Sequence, residues 1–251
     1  MLDTCARFLR PALLASAVVV ATTAAMDARG NALSKALPRT PVRAAAVPAA
    51  VETSEWDSVR PRAMNQQVFK LALQAANCAI QSGAVADPST LTVIDYSKPS
   101  TSKRLWVLDL RARALMYEEL VAHGQGSGAN VPTMFSNEPE THRSSIGLFE
   151  TKDTYIGRNG YSLRLEGLDT GFNDRAFERA IVMHGAPYVS ERLAHTQGRL
   201  GRSWGCPAVR EDVARELIDH VKGTGLVFAY YPDPEWLSSS KFLGDCTTIS
   251  S

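Results

Sequence analysis

The sequence predicts a mainly β domain with flanking helices. Three observations carry that expectation. Short runs rich in β-branched and aromatic residues recur between about 91 and 165, separated by glycine, asparagine and aspartate turn signals. Two longer stretches, 61–81 and 211–222, instead repeat apolar residues at helical spacing. A last, strongly apolar run at 226–231 reads as a strand and is stopped by Pro232.

Composition sets the outer limits. The 251 residues, 45% hydrophobic and 21% charged, suffice for one large or two small domains with a sizeable core. The net charge of +1 offers no basic surface for nucleic acid, so none is expected as a partner. No internal repeat is visible.

Residues 1–28 read as a signal peptide. Arg7 and Arg10 supply the positive flank, and Pro11 to Ala25 form an apolar, alanine-rich run of 15 residues. That run is short for a membrane span and carries a proline, so cleavage near Ala25 or Ala28 is expected. A retained anchor is the alternative, and the only route to membrane attachment. Cys5 precedes the apolar run and is not placed like a lipid-anchor cysteine. Residues 29–58 are rich in Ala and Pro without a sustained period, and read as a flexible leader. The folded domain is expected over 59–236, with 237–251 as a weakly held tail.

Within the domain, Pro61 suits the first turn of a helix that Gly83 can end. Met64, Val68, Leu71, Ala75, Cys78 and Ala79 mark its apolar face. Strands follow at 91–96, 104–110 and 114–122, the last two joined by a short hairpin link at 111–113. The glycine-rich stretch 123–128 is followed by no helical pattern, so it reads as a mobile surface loop that includes His123 rather than a phosphate cradle. Residues 132–142 read as a loop. Strands are expected at 145–151, 154–157 and 161–165, turn chemistry at 169–174, and a brief helical piece at 176–180. The apolar run 181–183 then ends on His184-Gly185. Beyond residue 206 a helix is expected from Glu211 to Lys222, with Glu211 and Asp212 at its positive end and Gly223 at its stop.

The chemistry concentrates at Ser203-Trp204-Gly205-Cys206-Pro207. A thiol is a good nucleophile only as the thiolate, and a neighbouring imidazole is the usual means of making it one. His184 lies 22 positions before Cys206. Cys206 is therefore the candidate nucleophile and His184 the candidate general base. Backbone N–H groups of Gly205, Cys206 and Trp204 are candidate oxyanion donors. Gly205 lets a carbonyl approach closely, and Ser203 either orients His184 or stabilises the turn. Arg202 and Arg210 are candidate partners for a substrate carboxylate. The inert alternatives are a buried structural cysteine and a structural histidine at a strand end.

Export implies an oxidising compartment, and the exported chain keeps Cys78, Cys206 and Cys246. An odd number leaves at least one thiol unpaired. One arrangement bridges Cys78 to Cys246 and leaves Cys206 free; the other leaves Cys78 buried and Cys246 as a loose thiol. A zinc site of His184, His195 and Cys206 matches no common ligand spacing, so no metal is expected. His142 and His220 read as surface residues.

The pair His184-Gly185 followed by Ser203-Trp204-Gly205-Cys206 resembles the signature of the YkuD-type L,D-transpeptidases, and the wider run resembles their murein L,D-transpeptidase catalytic domain branch. Supporting stretches are 105–110, 121–124, 135–137, 161–165, 171–174 and 201–208, so the resemblance spans about 104–232. It implies a β-sandwich-like catalytic domain and a periplasmic enzyme acting on peptidoglycan stem peptides. Cys206 would form a thioester acyl-enzyme that an amine of another stem, typically on diaminopimelate, resolves into a cross-link. Gly185, Ser203, Trp204 and Gly205 would support the site. Tyr161 and Asn173 join Arg202 and Arg210 as candidate substrate contacts. No cofactor is implied, and carbapenems are expected to acylate the thiol.

This sequence departs from the pattern in three places. Trp204 stands where many members have histidine, the spacer between His184 and Ser203 is slightly long at 18 residues, and Arg210 lies further from Cys206 than the usual arginine. An L,D-carboxypeptidase or endopeptidase with water as acceptor, and a non-catalytic wall-binding module, remain alternative readings of the same residues.

Overall fold

The computed structural model describes Trp56, residues 58–244 and Cys246. The expected signal peptide and nearly all of the expected leader lie outside these residues. None of the described helices is long and apolar enough to cross a membrane.

Helix α1 runs Gln66–Gln81. It starts later than Pro61 because the Asn65 side chain caps it, accepting from Gln67 N–H at 2.7 Å and Val68 N–H at 3.4 Å. The residues before it form a turn that buries Met64. Eight strands follow: β1 (Thr90–Asp95), β2 (Leu105–Asp109), β3 (Ala114–Glu119), β4 (Gly147–Gly157), β5 (Gly160–Gly167), β6 (Val182–Gly185), β7 (Ala208–Val209) and β8 (Gly225–Tyr230). They form one sheet in the order β3-β2-β1-β8-β4-β5-β6-β7. Neighbours are antiparallel except β1 with β8 and β6 with β7.

Strands β1, β2 and β8 are buried on both faces, so their residues are mostly apolar or threonine, whereas β3 and the far half of β4 are partly exposed. Leu91, Val93, Trp106, Leu108, Leu226 and Phe228 pack with the buried face of α1. Their alternates Ile94, Leu105, Val107, Val227 and Ala229 pack with Leu217, Ile218 and Val221 of α3 (Glu211–Val221). The period-2 alternation of a strand thus feeds two cores.

The sheet also curls until its edges meet. Just past β3 at one edge, Ala122 N–H donates to Ala208 O of β7, at the other edge, at 2.8 Å. Around Gly124 a parallel bridge continues the seam: Gln125 N–H donates to Ser203 O at 2.8 Å and Ser203 N–H to His123 O at 3.0 Å. The result is a near-barrel whose seam lies beside the cysteine loop.

Several expectations are corrected. The strands expected at 145–151 and 154–157 are one strand, β4, which begins at Gly147 and has an irregularity between Thr151 and Thr154. Residues 176–180 form turns rather than a helix. A short helix α2 (Glu191–Gln197) intervenes, capped by Ser190 and ended by Gly198 at φ +65°. His123 is fully buried rather than on a mobile surface loop: its Nδ1 accepts from the buried Arg104 guanidinium at 2.8 Å. Within the expected tail, residues 237–244 are held rather than loose. Pro234 opens helix α4 (Pro234–Ser239), and Trp236 and Phe242 are fully buried in the core with α1. A disulfide joins Cys78 of α1 to Cys246, with the Cα atoms 5.3 Å apart, and Cys206 is the free cysteine among the described residues.

Candidate active site

Strand β6 carries His184, and the loop after α2 carries Cys206. That loop is pinned from both sides. Ser203 Oγ donates to Cys206 O at 2.6 Å and accepts from Gly205 N–H at 3.1 Å. Ser144 Oγ donates to Gly205 O at 3.0 Å and accepts from Gly124 N–H at 3.0 Å. Gly205 itself has φ +120°, and a Cβ there would lie 2.8 Å from Arg143 O and 2.9 Å from Ile181 Cδ1. Only glycine meets both constraints.

The thiol is sheltered, with Cys206 only 8% exposed. Sγ receives the Val182 N–H at 3.5 Å and faces Ala180 O at 3.7 Å. Burial pushes its pKa above the ordinary thiol value, while the Val182 N–H and the Arg179 guanidinium pull it back. His184 Nδ1 sits 2.9 Å from Gly185 O. A carbonyl only accepts, so Nδ1 carries the proton and Nε2 is the nitrogen able to take another. Burial lowers the imidazole pKa, opposed in part by that carbonyl. The resting pair is therefore a neutral thiol and a neutral imidazole. No hydrogen bond joins them directly, but both line one cavity of about 250 Å³ with Arg158, Asn159, Tyr188, Arg202, Ser203 and Trp204.

The candidate oxyanion donors separate. Gly205 N–H is spent on Ser203 Oγ. The N–H groups of Trp204 and Cys206 donate to no other residue among those described. These two remain for a developing oxyanion. Trp204 is 62% exposed, yet its ring is held parallel to His142, with centroids 4.8 Å apart. His142 is thus part of the cavity surroundings rather than a bystander.

Of the other expected residues, Arg202 lines the cavity and Gly185 supports the ring through its carbonyl. Ser203 stabilises the turn. Arg210 does not reach the site: it forms a forked ion pair with Glu119 at 2.9 and 3.0 Å and a further contact with Asp212. Asn173 is fully buried, fixing a turn through Asp169 N–H and Leu148 O, so no substrate meets it. Tyr161 donates to Asp219 at 2.6 Å, outside the cavity. His195 lies on α2, and among the described residues no group of three or more His, Cys, Asp or Glu is arranged to hold a metal.

Sequence reasoning missed Arg179. Its guanidinium donates to Ser136 O at 2.6 Å, Ser145 Oγ at 2.5 Å and Arg143 O at 2.8 Å. It therefore braces the same Arg143 carbonyl against which Gly205 packs, and adds positive charge near the thiol. Nothing in the local spacing marked it, because folding of the 169–180 turns brings it there.

Comparison with known proteins gives a family-model match over more than half of the chain. The model of the L,D-transpeptidase catalytic domain matches residues 60–230. Solved structures similar to this chain include an L,D-transpeptidase from Mycobacterium smegmatis, at 13% identity over 57% of this chain and 59% of that one, TM-score 0.36. Another is an L,D-transpeptidase from Stackebrandtia nassauensis, at 15% identity over 66% and 68% of the two chains, TM-score 0.36. L,D-transpeptidase 3 from Mycobacterium tuberculosis matches at 14% identity over 57% and 62%, TM-score 0.34. The chain spans 59% of the length of the first of these. No curated protein matches the sequence.

Proposed function

Because this chain belongs to the L,D-transpeptidase catalytic domain family, whose model spans residues 60–230, we propose that it is a peptidoglycan L,D-transpeptidase with Cys206 as nucleophile and His184 as general base. The observation that carries this reading is a shared cavity. It holds a free thiol and an imidazole whose Nδ1 is committed to Gly185 O.

The chemistry follows from those groups. On substrate binding, Nε2 of His184 takes the thiol proton as Sγ attacks the carbonyl carbon of a stem peptide bond. Catalytic hydrogen bonds are commonly long in an empty site and tighten in the complex. The Trp204 and Cys206 N–H groups receive the oxyanion. The C–N bond then breaks, the imidazolium proton goes to the leaving amine, and a thioester remains. An amine of a second stem attacks that thioester, gives its proton to His184, and releases the thiolate, which regains a proton from the imidazolium. The scheme uses no metal and no cofactor. In this reading residues 1–28 export the protein to the periplasm, where stem peptides are found; a positive flank followed by an apolar run supports it.

Incubation of the exported form with purified muropeptides, followed by mass analysis, tests the proposal. Cross-linked dimers that vanish with Cys206→Ala are expected. Trimmed monomers alone would assign water as the acceptor, and products that persist in Cys206→Ala would remove the thiol from the mechanism.

A further inference from the structure

The cavity around Cys206 is cationic. Arg158, in the turn between β4 and β5, and Arg202, in the cysteine loop, both line it, and no aspartate or glutamate does. Arg202 is fixed by one nitrogen, which donates to Gly128 O at 2.9 Å and more distantly to Gln125 O at 3.4 Å. Arg158 makes no hydrogen bond or ion pair with the described residues. Its guanidinium instead lies over the Trp204 ring, 5.8 Å from the centroid, an arrangement that orients a cation without neutralising it. Arg111, Arg175 and Arg210, by contrast, are each paired with a carboxylate. Two guanidinium groups with no acidic partner among the described residues therefore face one small cavity that also holds the thiol. Asn159 and Tyr188 add neutral polar groups to the same wall.

Resting on the L,D-transpeptidase reading, we propose that Arg158 and Arg202 form a carboxylate-binding pair that seats a carboxylate of the donor stem beside Cys206. The fork of a guanidinium matches the two oxygens of a carboxylate, and such charge-assisted bonds are among the strongest polar contacts available. The carboxylate comes either from the C-terminus of the leaving residue or from a side chain of the stem. The first would fix how far from the stem's end the bond is cut; the second would select non-amidated stems.

Binding measurements in the Cys206→Ala background separate this proposal from catalysis. The probe is a synthetic stem tetrapeptide in three forms: free acid, C-terminal amide and side-chain amide. Titration calorimetry is expected to show that amidating one of the two positions weakens binding about tenfold or more, as expected for loss of a charge-assisted contact. Arg158→Gln should weaken the free acid by a similar factor and leave that amide unchanged, with Arg158→Lys recovering part of the loss. The arm that loses affinity identifies the source of the carboxylate. Equal affinity for all three forms, an equal loss on every form in Arg158→Gln, or no measurable binding of the free acid would each overturn the proposal. Formation of a carbapenem adduct on the wild-type thiol, followed by intact mass, reports separately on the catalytic reading.

Discussion

Cys206 Sγ accepts the N–H of Val182, the first residue of the strand whose third residue is His184. The thiol is thereby tied to the backbone that positions the proposed base, rather than to the His184 ring itself. Intact mass after exposure to a carbapenem should show one adduct, absent in Cys206→Ala. His184→Ala should keep the adduct but slow its formation by about two to four powers of ten, the range of general-base contributions. An unchanged rate in His184→Ala would remove the imidazole from the acylation step.

Burial sets a pH signature. The thiol pKa lies above its ordinary value and the imidazole pKa below its own. Alkylation by iodoacetamide, which needs the thiolate, should be slow at neutral pH and rise only beyond the ordinary thiol range. Carbapenem acylation, which uses the neutral imidazole, should keep its rate as pH falls to about 6.5 and drop only below that. Because Arg179 lowers the thiol pKa, Arg179→Met should move the alkylation profile to still higher pH. An alkylation profile centred below the ordinary thiol value would show a thiolate already formed at rest.

The turn that presents the thiol depends on Ser203. Ser203→Ala removes the bond to Cys206 O and leaves Gly205 N–H buried without a partner. A stability loss of about 1–3 kcal/mol is expected in urea unfolding. Carbapenem acylation should fall as well, since the two remaining oxyanion donors flank the same peptide. Ser203→Thr keeps the hydroxyl and should recover most of both. Full activity in Ser203→Ala would show that the loop holds its shape without this side chain.

His123 makes the fold sensitive to acid. Its pKa is lowered to about 4 by burial and by the Arg104 charge, against an ordinary value of 6.5. Below pH 6.5 the unfolded chain takes the proton first, so stability that is full above 6.5 drains away as pH falls toward 4. The loss is ~3 kcal/mol from this group alone. His123→Asn keeps an acceptor for Arg104 and should flatten the dependence across that window. Equal slopes for the two proteins would place the acid sensitivity elsewhere.

The disulfide between Cys78 and Cys246 closes a sequence separation of 168 residues. Reduction, or Cys246→Ser, should lower stability by about 2–4 kcal/mol, read as a lower midpoint in denaturant. Midpoints that coincide with and without reductant would show that the C-terminal segment stays docked by Trp236 and Phe242 alone.

Most of the sheet was legible because its strands are rich in apolar and β-branched residues and break at turn residues. That Cys206 and His184 line one cavity was foreseeable because a glycine-bordered turn and a strand end both lie at the edge of the sheet, where side chains reach a cleft. The missed features depend on distant partners. His123 resembled a loop residue until Arg104, 19 positions earlier, was found beneath it. Strand β7 is two residues long and exists only because β6 lies alongside. The Arg210 side chain faces Glu119, 91 positions away, and no local pattern records that pairing. Helix α2 was the avoidable miss, since Ser190 and Gly198 mark both of its ends in the sequence.

Cys246 is the last of the three described cysteines to be synthesised, and Cys206 precedes it by 40 positions. A chain meeting an oxidant before Cys246 has emerged offers Cys78 only one of these as partner, and that partner is the proposed nucleophile. Correct pairing therefore requires either delayed oxidation or reshuffling of a wrong bridge. Once the barrel seam has closed beside Cys206, the burial that weakens its acidity also slows further exchange, because it keeps the thiolate scarce.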